Sequence, residues 1–177
     1  MNHPTRDIRE DGPQGPIGRI HMCDYCGCHD SEPFAELARE HEVLENLGSE
    51  LRTALGSGDE RRARVLFERI VAVLGPHVRK EERGVLAQVI EEGGIFQRVT
   101  QKLIEEHHDL QHLIEHMDDV PADWAQEALH VLDALDAHIG NEEWDLFPAA
   151  VGLLSFEELE FMARIHAEEG SAIKPAR

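Results

Sequence analysis

The sequence predicts an all-α fold: an antiparallel up-down-up-down four-helix bundle with a flexible Cys-containing N-terminal segment and a short C-terminal fifth helix. Three observations predict it. Apolar residues recur at separations of three and four along four long stretches, Gly- or Pro-marked breaks part those stretches, and strand-like alternation is essentially missing. Short connections leave consecutive helices side by side, which favours the antiparallel arrangement.

Residues 1–30 carry Pro4, Pro13 and Pro16 among glycines and charges without an apolar period, and read as a flexible leader ending in a cysteine cluster. The bundle is expected over 31–150, with a short helix and tail over 151–177. The first helix is set by Phe34, Leu37, Val43, Leu44, Leu47, Leu51 and Leu55, with Asp30 or Ser31 as its cap. Gly56-Ser57-Gly58 ends it and Asp59 caps the next, whose apolar line runs Val65, Leu66, Ile70, Val73, Leu74, Val85, Leu86 and Val89 to Gly93-Gly94. Pro76 lacks an amide proton and predicts a kink or short break just before His77. The third helix runs from about Ile95 to Asp118 on Val99, Leu103, Leu110 and Leu113, and stops before Pro121-Ala122-Asp123. The fourth starts at Asp123, buries Ala128, Leu132, Leu135 and Leu146, and is disrupted at Pro148. Ser155 and Glu158 form a capping box for the fifth. Trp124 and Trp144 are expected to pack inside.

Composition narrows the function. The chain has 177 residues with 17 Lys and Arg against 36 Asp and Glu, a net charge of −19 that would repel nucleic acid or an anionic membrane surface. No stretch has the run of apolar residues that a membrane span needs, and the first twenty residues lack the apolar core of a secretory signal, so the expected location is the cytoplasm. Twelve histidines outnumber the six Phe and two Trp together, which draws attention to imidazole.

Two helix hairpins are repeated in tandem. Glu40-His41 followed by Leu44 and Leu47 matches Glu106-His107 followed by Leu110 and Leu113, and His77-x-x-x-Glu81-Glu82 matches His138-x-x-x-Glu142-Glu143. Residues four apart share a helix face, so each H-x-x-x-E pair sets an imidazole beside a carboxylate. All of these positions fall on inner stripes: His77 is three after Leu74, His138 three after Leu135, and His41 and His107 lie between leucines. Buried unpaired charges are costly, and metal ions are the partner that makes such a cluster tolerable. His41, His77, Glu81, His107, His138 and Glu142 are therefore the expected metal ligands. Imidazole suits Fe, Zn, Cu or Ni, and the carboxylates in a helix bundle favour dinuclear iron or manganese, with positions left for dioxygen, peroxide or nitric oxide. His108, His112, His116 and His130 are expected on the surface, and Glu82 and Glu143 as solvated carboxylates or as groups that orient the ligands.

On these residues the sequence resembles the hemerythrin-like proteins of the HHE cation-binding family over about 34–150. The resemblance places the same six residues at the family's H, HxxxE, H, HxxxE positions, with Glu81 and Glu142 as bridging carboxylates. It implies two non-haem irons and roles that range from oxygen binding and sensing to iron handling and peroxide or nitric oxide chemistry. It leaves several outcomes open: a catalase-like or nitric-oxide-linked enzyme, a sensor or interaction protein without turnover, or an iron buffer. Oxygen-carrying hemerythrins have a further histidine four residues before the third-helix ligand, where this chain has Leu103. That departure makes the two irons more alike and argues against a dedicated oxygen carrier. An extra ligand could come from the fifth helix through His166.

The run Cys23-Asp24-Tyr25-Cys26-Gly27-Cys28-His29 resembles a leader found before the bundle in some bacterial members. Cys23-x-x-Cys26 has the spacing of half a zinc knuckle, which Cys28 with His21 or His29 would complete. Alternatively Cys23 and Cys26 cycle between dithiol and disulfide, or the segment is an untethered leader.

Overall fold

A computed structural model describes residues 31–118, 123–171 and 173, and every regular element among them is helical. The elements are α1 (Glu32–Gly56), α2 (Glu60–Arg83), α3 (Val85–Val89), a 3-10 turn (Ile90–Glu92), α4 (Gly94–Glu115), a second 3-10 turn (His116–Asp118), α5 (Trp124–Asn141), a π-helical turn (Glu142–Leu146), α6 (Phe147–Leu153) and α7 (Phe156–Glu169). The cysteine cluster, Asp30 and Pro121-Ala122 lie outside the described residues.

The helix ends follow local chemistry. Asp59 accepts the Arg62 amide at 3.1 Å and caps α2, and Ser155 and Glu158 close the expected capping box on α7. Ser31 precedes α1 without a side-chain cap, and Pro33 occupies the first turn, where a missing amide proton costs nothing. Gly93 and Gly94 both have positive φ, 70° and 58°, so the chain turns into α4 through a conformation that side chains disfavour.

Three expectations are corrected. Helix α2 runs through Pro76 without a break, and the interruption comes eight residues later at Gly84, after the H-x-x-x-E pair. There a Cβ would lie 2.4 Å from the Lys80 carbonyl oxygen, so the chain bends by a close approach that only glycine allows. Pro148 does not end a helix but sits in the first turn of α6, and the ladder is relieved just before it by the π turn over Glu142–Leu146. Finally, Val65 and Trp144 are half exposed, 51% each, whereas Trp124 is buried against Phe67. The π turn brings both Glu142 and Glu143 inside and leaves the next residue, Trp144, facing out.

The apolar residues form two cores. One holds Leu44, Leu47, Leu51, Leu66, Ile70, Leu74, Leu110, Leu132 and Leu135, and the other holds Phe34, Leu37, Val85, Leu86, Leu103, Leu146, Phe147 and Met162. Along four stretches of the chain the sequence steps from one core to the other across a histidine or an H-x-x-x-E pair: Leu37–His41–Leu44, Leu74–His77–Glu81–Val85, Leu103–His107–Leu110, and Leu135–His138–Glu142–Leu146. A polar layer thus crosses the bundle between two apolar plugs. Helix α7 packs on α1 and α2, burying Met162, Ile165 and His166.

Candidate metal centre

Four long helices each deliver one imidazole to this layer, and all four rings are buried. His41 Nε2 faces His77 Nε2 at 3.0 Å, and His107 Nε2 faces His138 Nε2 at 2.9 Å. The two H-x-x-x-E carboxylates lie between these pairs. Glu81 is 3.2 Å from His77 Nε2 and 3.4 Å from His107 Nε2, and Glu142 is 3.2 Å from His41 Nε2 and 3.4 Å from His138 Nε2. Two four-residue groups result, His41-His77-Glu81-Glu142 and Glu81-His107-His138-Glu142, each with its potential ligand atoms within 4.8 Å of one another. The carboxylates belong to both.

This donor set fits a cation. Glu81 and Glu142 are fully buried, yet none of their four oxygens receives a hydrogen bond of good geometry. Buried carboxylate oxygens without donors are costly, and a metal ion satisfies several at once. Each imidazole is also set up as a ligand, because its Nδ1 side is held by an outer carboxylate. His41 pairs with Glu143 at 2.8 Å, His77 with Glu40 at 3.0 Å, His107 with Glu82 at 3.0 Å and His138 with Glu106 at 2.9 Å. An Nδ1–H that donates to a carboxylate leaves Nε2 as the lone-pair nitrogen facing the centre and fixes the ring's orientation.

Without metal, protons carry the positive charge. Burial alone would lower the His77 pKa, but Glu81 and Glu40 outweigh it and hold it up at about 10. Burial opposes Glu142 and Glu143 at His41, and Glu81 and Glu142 at His107, and in both cases the carboxylates win, holding the rings at about 9. Burial pushes the Glu81 carboxyl up, yet the His77 and His107 rings hold it well below the usual range.

The structure brings His41, His77, Glu81, His107, His138 and Glu142 into one cluster. His166 does not join it: its Nδ1 lies 3.1 Å from Glu36, on the outer side of α1. Leu103 is a buried member of the second apolar core, and His108, His112, His116 and His130 are exposed. Glu82 and Glu143 hold the His107 and His41 rings at Nδ1 rather than simply facing solvent. The roles of Glu40 and Glu106 escaped the sequence reading, although their repetition beside the two single histidines was the available signal. Lys80 escaped it entirely: fully buried, it donates to Glu40 at 2.5 Å and to Glu36 at 2.7 Å, and the Ser171 hydroxyl donates to Glu40 at 2.7 Å.

Helices as the regular elements of the described residues, with a buried imidazole–carboxylate layer able to hold a metal ion, define a cation-binding helical protein. The family model for the hemerythrin HHE cation-binding domain matches residues 31–150, and the chain belongs to that family. No curated protein and no solved structure matches it. Among the described residues no helix is long and apolar enough to cross a membrane.

Proposed function

We propose that the chain is a non-haem diiron protein that binds or reacts with dioxygen, peroxide or nitric oxide inside an antiparallel four-helix bundle. The observation that carries this reading is the pair of four-residue groups sharing Glu81 and Glu142, a donor set for two adjacent cations bridged by two carboxylates. Iron bound there would supply the redox chemistry. His41 and His77 would hold one ion, His107 and His138 the other, and Glu81 and Glu142 both. Their outer carboxylates hold each ring at Nδ1 and aim Nε2 inward, while Phe147, stacked on His41 at 5.5 Å, and the surrounding leucines limit water. Partners in this reading are small neutral molecules, with neither nucleic acid nor a membrane involved, in the cytoplasm. A zinc or redox role for Cys23, Cys26, Cys28 and His29 is a separate part of the proposal.

Anaerobic loading with ferrous iron tests it. Two tightly held irons per chain, and new visible absorption on adding oxygen, peroxide or nitric oxide, are expected. Rapid loss of peroxide would make the protein a catalase-like enzyme. A bundle that takes up no iron, with one zinc lost on cysteine alkylation, would overturn the reading.

One observation favours a sensor in place of a catalyst. Glu40, which orients His77, also accepts from Lys80 and from Ser171 beyond α7, so metal occupancy is linked to the C-terminal segment. Protease sensitivity that changes with iron oxidation state, without peroxide turnover, would support this second reading. An iron buffer would require many chains to assemble, which a size measurement would reveal.

A further inference from the structure

The six inner residues are arranged symmetrically, but what surrounds them is not. We infer that the centre has one exchangeable half and one locked half: metal enters and leaves at His107 and His138 through the groove between α2 and α4, while metal at His41 and His77 is retained. This inference rests on the dinuclear reading above.

The outer carboxylates carry the first part of the argument. Those of the His41/His77 half, Glu143 and Glu40, are 6% and 2% exposed, and those of the other half, Glu82 and Glu106, are 37% and 24% exposed. For a metal to leave, an imidazole must rotate away, which breaks its Nδ1–H bond to the outer carboxylate. Water can take over that bond at Glu82 and Glu106, whereas at Glu40 and Glu143 it would be lost in the interior. Glu40 is further fixed by Lys80 and Ser171.

Space carries the second part. A cavity of about 280 Å³ lies between α2 and α4 and is lined by Gly75, Val78, Glu82, His107, Leu110 and Gln111, among others, so the His107 ring has room beside it. The depression between α1 and α7 is lined by Glu36 and His166 and reaches none of the four inner imidazoles. Gly75 helps keep the groove open. A Cβ there would meet only the Arg79 guanidinium, at 3.6 Å, so a larger side chain can be accommodated and would extend into the groove.

Cobalt(II) release from the loaded full-length protein into excess chelator tests the inference, with bound metal counted first. Two ions per chain should leave in two phases of equal amplitude, differing in rate by at least about tenfold. Gly75→Leu should slow the fast phase severalfold and leave the slow phase and the stoichiometry unchanged. Gly152→Leu on α6, where a Cβ meets nothing within 4 Å, should change neither phase. His138→Gln should abolish the fast phase and His77→Gln the slow one. Two ions released in a single phase, a fast phase indifferent to Gly75→Leu, or loss of the slow phase in His138→Gln would each overturn the inference while leaving the dinuclear reading intact. Fewer than two bound ions would overturn both.

Discussion

The His41/His77 half and the His107/His138 half of the polar layer use the same residue types at nearly the same distances, and differ one shell further out. Lys80 and Asn141 occupy equivalent places, each just before the carboxylate of its H-x-x-x-E pair. Lys80 reaches Glu40, and Asn141 reaches Glu106 at 2.9 Å. One half therefore rests on a buried cation flanked by two carboxylates and covered by α7. The other rests on a neutral amide, with Lys102 supplying charge from the exposed surface at 3.1 Å. The helix breaks differ in the same way, with Gly84 after one pair and the π turn after the other. The inner residues repeat in both halves and meet in one cluster. The outer carboxylate on each imidazole is a glutamate in both halves, and the difference lies in what supports it.

The largest expected effect comes from abolishing what the two halves share. Glu81→Ala removes a carboxylate common to both, and bound iron should fall far below two per chain, whereas His138→Gln should spare one ion. Metal analysis after desalting distinguishes them, and full occupancy in Glu81→Ala would remove the bridging assignment.

Next comes the contrast between Lys80 and Asn141. Lys80→Met strands Glu36 and Glu40 beside each other and should cost about 3–5 kcal/mol, while Asn141→Leu should cost only about 1–2 kcal/mol. Urea unfolding of both variants measures the difference, and equal costs would erase the distinction between the halves.

The pH dependence of the metal-free protein sharpens the same comparison. His77, His41 and His107 have folded pKa values of about 10, 9 and 9, above the ordinary 6.5. Groups raised on folding stabilise fully below the unfolded value, and that contribution is lost as pH rises through the folded values. Thermal unfolding of the metal-free protein should therefore shift to lower temperature between pH 7 and pH 10. Metal must displace these protons, so its affinity should rise over the same range and uptake should release protons into an unbuffered solution. A metal-free protein whose stability is flat across this range would contradict the proton-for-metal exchange.

A smaller effect is expected at the helix break. Gly84→Ala places a methyl against the Lys80 carbonyl and should cost about 1–3 kcal/mol, with the loss concentrated in the Lys80 half and seen as faster amide exchange in α7. The smallest belongs to Glu82→Gln, a partly exposed change that keeps the acceptor for His107 and should cost under about 1 kcal/mol.

Much of this molecule was legible in its sequence. Period-3.6 leucines set the long helices, and the tandem echo of Glu40-His41 in Glu106-His107 exposed the inner cluster, because a repeated pattern of costly residues on an apolar stripe has few uses. Asp59 and the Ser155/Glu158 box marked helix starts, since capping is chemistry within three residues. Pro76 misled because tertiary packing absorbs its local penalty of about 3 kcal/mol, and Pro148 because it falls in the first turn of α6, just after the π turn, where no amide proton is needed. Trp144 misled because the π turn shifts the helical phase by one residue, which no regular period anticipates.

The sequence alone thus determined the helices, the polar layer and the identity of its six inner residues, all of which follow from spacing along a single chain. Tertiary structure decided which carboxylate orients which imidazole, the burial of Lys80, the docking of α7 and the opening beside His107. Those depend on how separate helices rotate and approach one another, and side chains as far apart as Glu40 and Ser171 meet only when the whole bundle has closed.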